Sequence, residues 1–122
     1  MIQIYLIINT ISYLLFSLWC LFKLAATAQS LGYSFSNNSG RVEFLSVYTG
    51  LELGFTVFLA LCALYPVYEM AGLLFCVSIY GGLMILRPIS AIAYGNISKI
   101  TWVLGITEYI FGIWGIILLI NQ

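Results

Sequence analysis

The chain has 122 residues, 63% of them hydrophobic and 7% charged, with a mean hydropathy of +1.10, no histidine and a net charge of zero. That composition excludes a soluble globular domain, which needs far more charge to stay dispersed. A neutral chain also lacks the electrostatic footprint of a nucleic-acid binder. What remains is a protein whose first partner is the lipid bilayer.

A spanning helix takes about 20 mostly apolar residues. Four such runs fit between the polar breaks, Ile4 to Leu24, Phe44 to Leu64, Met70 to Ala93 and Ile100 to Ile120. They consume most of the chain, so the expected fold class is all-α: a polytopic membrane protein forming a single four-transmembrane-helix bundle over residues 1–122.

The first run is followed by Ala26-Thr27-Ala28, which imitates a signal-peptide cleavage site. It lacks a basic n-region, its apolar core is too long and Lys23 intervenes, so it reads as a permanent helix. The interval from Ala25 to Arg41, containing "SLGYSFSNNSGR", reads as a loop. "YPVYE", Tyr65 to Glu69, reads as a tight turn after the second run, and "YGNISK", Tyr94 to Lys99, closes the third and opens the fourth. Cys20, Cys62 and Cys76 fall inside the runs with no CxxC pair or histidine nearby, which makes them packing residues and gives no reason to expect a metal or cofactor.

Four spans place both termini on one face, termed A, and the long first loop on the other, termed B. Lys23, Arg41 and Lys99 all fall at B, while A has no lysine or arginine. By the positive-inside rule B is cytoplasmic and both termini are external. Trp19, Trp102 and Tyr94 near B, with Tyr5, Tyr65, Tyr68 and Trp114 toward A, read as interfacial aromatics.

The charges inside the runs carry the most information. Glu52 lies eight residues from the B end of the second run, Glu108 eight from the B end of the fourth, and Arg87 six from the B end of the third. At about 1.5 Å per residue these depths are roughly 12, 12 and 9 Å. Each would cost about 2.5–3.5 kcal/mol facing lipid, so the three are expected to face one another. Helix spacing supports this: Thr101, Gly105, Glu108, Gly112 and Gly115 form a small-residue face, and Gly50-xxx-Gly54 suggests a second close contact. Tyr48 follows Glu52's stripe, while Tyr80, Arg87, Ser90 and Tyr94 share a side, so Tyr48, Ser90 and Tyr94 are candidate donors to the carboxylates. Arginine can hold one carboxylate by a bidentate bond. The second is then incompletely compensated, and is the expected proton acceptor or ligand-binding group.

"YTGLELGFTVFLALCAL", "AGLLFCVSIYGGLMILRPISAI" and a fourth helix with Glu108 resemble the DUF4345 family of small bacterial membrane proteins, and more distantly DoxX-like four-helix proteins. The resemblance covers Phe44 to Ile120 and is strongest at Gly50, Glu52, Gly54, Gly82 and Arg87. It implies a multi-pass four-helix bundle in a bacterial inner membrane and brings no agreed activity.

Two functions compete. In one, Glu52, Arg87 and Glu108 bind or move a small polar or lipophilic ligand or a proton. In the other, the charged layer is an interhelical staple in a structural or accessory subunit of a larger membrane complex. A homo-oligomer fits either, because the glycine faces exceed what one bundle needs. Nothing in the sequence demands catalysis: there is no histidine, no metal-ligand spacing and no activated nucleophile, and no catalytic residue is assigned.

Overall fold

The computed structural model describes residues 1–122 and is all-helical. Helix α1 spans Ile2–Phe22, α2 Leu24–Ser30, α3 Asn38–Leu45, α4 Glu52–Leu64, α5 Glu69–Tyr94 and α6 Lys99–Ile120. A π-helical turn, Ser46–Leu51, joins α3 to α4 without a break, and a 3₁₀ turn, Pro66–Tyr68, leads into α5. Four continuous helices, Ile2–Phe22, Asn38–Leu64, Pro66–Tyr94 and Lys99–Ile120, are long and apolar enough to cross a membrane. The chain is therefore a multi-pass membrane bundle of four spans.

Its surface is built for lipid rather than water. Ile4, Ile7, Ile11 and Leu15 form an exposed stripe on α1, and Ile106, Ile110, Ile113 and Ile117 do the same on α6. The interior instead buries polar side chains, Asn9, Ser17, Thr27, Thr49 and Thr56. With no water to satisfy them, each donates to a backbone carbonyl. Thr56 donates to the Glu52 carbonyl at 2.9 Å, and Thr49 reaches the Ser17 carbonyl at 3.4 Å.

The expected loop from Ala25 to Arg41 is shorter than the polar composition suggested. "LAATAQS" is rich in alanine, the best helix former, and it builds α2 after a break at Lys23. The Thr27 hydroxyl donates back to the Trp19 carbonyl at 3.2 Å across that break, and Ala28 packs with Cys20 and Phe44. At the other end Asn37 caps α3 by accepting the Gly40 N–H at 3.0 Å, so the second span begins at Asn38 rather than Phe44. The third connection turns through positive φ at Gly95 and Asn96, and the Ser98 hydroxyl then caps α6.

The two halves of the bundle differ in packing. Toward A, Tyr5, Leu6, Leu59, Cys62, Leu73, Cys76 and Leu118 form a closed core. Tyr5 is fully buried there, its hydroxyl donates to the Phe111 carbonyl at 3.1 Å, and Trp114 packs edge-on to it at 5.1 Å. Tyr5 is thus a core residue rather than an interfacial anchor, with Trp114 half-buried against it, because Gly115 leaves room for the tyrosine head: a Cβ there would meet Tyr5 Oη at 2.6 Å. Tyr65 and Tyr68 remain exposed at the A boundary.

The glycines of α6 do admit neighbours, as their spacing suggested, whereas Gly50-xxx-Gly54 does not. Nothing stands within 4 Å of a Cβ built on Gly54, and at Gly50 only the chain's own Leu45 carbonyl does. The close approach between the second and third spans is instead in the A half, at Gly72, where a Cβ would lie 2.8 Å from Cys62 Cβ. Gly72→Ala is expected to destabilise the purified protein by about 1–3 kcal/mol, as overpacking does, while Gly54→Ala leaves stability unchanged or raises it. Thermal unfolding followed by tryptophan fluorescence reads both.

Candidate functional site

The charged layer is assembled from two helix irregularities and one glycine. Gly105 clears the surface of α6 one turn before Glu108; a Cβ there would meet Arg87 Cδ at 2.8 Å. The arginine stem therefore lies against α6, and its head meets Glu108 as a fork. Nε donates to Oε2 and Nη2 to Oε1, each at 2.5 Å. This planar two-pronged geometry is the strongest that an arginine makes with a carboxylate.

The next residue on each helix repeats the cross-link by other means. Pro88 lies inside α5 and has no N–H, which deprives the Met84 carbonyl of its intrahelical donor. The Tyr109 hydroxyl donates to that carbonyl at 2.6 Å. Consecutive residues of α6, Glu108 and Tyr109, thus fasten it to the turn of α5 that the proline opens.

Glu52 is placed by the other irregularity. It is the first residue of α4, directly after the π-helical turn Ser46–Leu51. Such turns carry an extra residue in the helix and frequently occur at functional sites. Arg87–Glu108 is the only ion pair in the chain, so Glu52 receives no cation. Its Oε2 is buried and has no hydrogen-bond partner.

Glu52, Arg87 and Glu108 meet on the wall of one cavity of about 420 Å³ in the B half, between α1 and α4 on one side and α5 and α6 on the other. Its floor is aromatic. Tyr13 stacks on Tyr80 with ring centroids 6.5 Å apart, and Tyr80 on Phe111 at 5.8 Å. The Tyr80 hydroxyl is held by Asn9 Oδ1 at 2.6 Å, and Asn9 in turn donates to the Tyr5 carbonyl at 2.8 Å. The Tyr13 hydroxyl is the second buried polar group without a partner. Near the B end the Tyr33 and Tyr48 hydroxyls share a hydrogen bond of 2.6 Å.

Four of the six residues singled out from sequence, Glu52, Arg87, Glu108 and Tyr48, line this cavity. Ser90 and Tyr94 do not. In hydrocarbon a serine can satisfy its hydroxyl on its own helix, and Ser90 donates to the Leu86 carbonyl at 2.7 Å. Tyr94 is the last residue of α5 and is 87% exposed. Conversely, Asn9 and Tyr13 belong to the site through α1, which sequence reasoning left aside. The spacing of Tyr5, Asn9, Tyr13 and Phe16 along α1 is the signal that could have found them.

Arg87 has a second exposure. Beyond its side chain an apolar groove of about 240 Å³ runs between α5 and α6, walled by the outward-facing Ile106, Ile110 and Ile113. Arg87 and Thr101 line both groove and cavity.

Arg87→Ala leaves Glu108 unpaired and is expected to cost about 3–5 kcal/mol, whereas Arg87→Leu combined with Glu108→Leu recovers most of that loss. Unfolding midpoints of the single and double variants in detergent check this. No family model, curated protein or solved structure matches this chain.

Proposed function

We propose that the intramembrane layer has two parts with different jobs: Arg87 and Glu108 staple α5 to α6, and Glu52 with the adjoining cavity binds or moves a small polar or lipophilic ligand or a proton. The observation that carries this is the buried Glu52 Oε2 with no partner, on a cavity wall whose one arginine is paired with Glu108. A carboxylate serving only as a staple would be paired, since an unsatisfied charged group in a low-dielectric interior is costly. The cavity volume lies within the range of small-molecule sites, and apolar walls with a few convergent polar groups are their usual make-up.

The resemblance to DUF4345 and the basic residues Lys23, Arg41 and Lys99 at B support placing the bundle in a bacterial inner membrane with B cytoplasmic. In that orientation the cavity lies in the cytoplasmic half. One observation favours the reading as an accessory subunit or oligomer: Gly54, Gly81 and Gly82 face open space, and small-residue faces are where a further helix packs.

Thermal unfolding and native mass spectrometry of the wild type and Glu52→Gln separate these readings. The expected result is a Glu52→Gln variant as stable as the wild type that loses a co-purifying small molecule or the pH dependence of its stability. A variant that falls apart, from a wild type that retains nothing, would overturn the proposal in favour of a staple.

A further inference from the structure

The chemical class of the ligand follows from the charge balance of the cavity wall, and it rests on reading Glu52 as a binding group. Arg87 is the one basic residue on the lining, and its charge is met by Glu108. The remaining charge is that of Glu52. The titratable groups that share the wall with it are Tyr13 from α1, Tyr33 from the loop after α2, Tyr48 from the π turn, Tyr80 and Arg87 from α5, and Glu108 from α6, with the buried Cys20 of α1 behind Tyr48. Apart from the mutually paired Arg87 and Glu108, these are neutral hydroxyls and a thiol.

Each class of small ligand meets this wall differently. An anion would find an unpaired carboxylate and no free cation. A neutral apolar molecule would leave Oε2 of Glu52 unsatisfied. An inorganic cation needs several oxygen ligands at short range; beside Glu52 the lining offers only neutral hydroxyls and the paired Glu108, and no three acidic, histidine or cysteine side chains cluster to hold a metal ion. An organic ammonium satisfies both parts of the wall. Its charge pairs with the carboxylate in a low-dielectric setting, and its substituents lie against ring faces whose quadrupoles attract positive charge.

We infer that the B-half cavity binds a small organic monocation, an alkyl- or arylammonium, with its nitrogen at Glu52 and its apolar part over the Tyr13, Tyr80 and Phe111 rings. A proton competes with the ammonium for the same carboxylate, so binding weakens as pH falls.

The test is calorimetric titration of the purified protein in lipid nanodiscs, against empty nanodiscs, with three ligands of similar shape: benzyltrimethylammonium, neutral N-benzylacetamide and anionic phenylmethanesulfonate. The expected result is a cation bound about tenfold or more tighter than the amide, no binding of the sulfonate, weaker cation binding at lower pH, and loss of that binding in Glu52→Gln. The wild-type ligand series stands alone should that variant not fold. Binding of the amide or sulfonate as tight as that of the cation overturns the ligand class while leaving the cavity a binding site. No binding of any of the three overturns the ligand class as well. In that case the unfolding midpoint of Glu52→Gln tells whether the site reading falls with it, since a destabilised variant marks Glu52 as structural.

Discussion

The two-pronged bond from Arg87 to Glu108 is the one ion pair of this bundle, and it leaves Glu52, on the wall of the same cavity, without a cation. Because a bilayer supplies no water to make up the difference, the choice of partner governs the whole B half. Gly105 permits that pairing by letting the arginine stem lie along α6, where Glu108 completes the fork. Had α6 carried a side chain at that position, the stem would have been held away from this surface. The pairing of Arg87 with Glu108 therefore rests on a missing methyl at Gly105.

The two backbone irregularities sit at the same level as this layer. Pro88 opens α5 one residue beyond Arg87, and the π turn ends one residue before Glu52. Both would be liabilities in lipid, where a carbonyl without a donor is costly. Tyr109 meets the freed Met84 carbonyl of α5, and Thr49 ties the π turn to the Ser17 carbonyl of α1. The A half, by contrast, is regular helix packed on glycine and cysteine. Regular packing there and irregular, separately braced backbone at B are what allow one end of a small bundle to be closed and the other to hold a cavity.

Much of this was legible in the sequence because the solvent is so restrictive. Spans follow from apolar length alone, and three charges at one depth can face only inward, which is why Glu52, Arg87 and Glu108 were readable as a group. The helical stripe of α6 was readable for the same reason, through its glycines. Ser90 and Tyr94 misled because spacing gives the side of a helix but not whether a hydroxyl turns back onto its own backbone or lies past the neighbours' ends. α1 was passed over because its polar members are single residues in an apolar run; Asn9 and Tyr13 gain meaning only when Tyr80 stands opposite them. The helix within the first connection was hidden by neighbouring Ser, Asn and Gly, although its alanines carry the propensity.

The shared position of Arg87, on the wall of the cavity and on the wall of the outer groove, makes the partition between the protein's interior and the surrounding hydrocarbon one side chain thick at that point. Elsewhere such a partition consists of apolar contacts, which yield gradually to an apolar intruder. Here it is closed by an ion pair, which either holds or breaks. An acyl chain pressing inward along the groove at that point meets a barrier set by electrostatics rather than by fit.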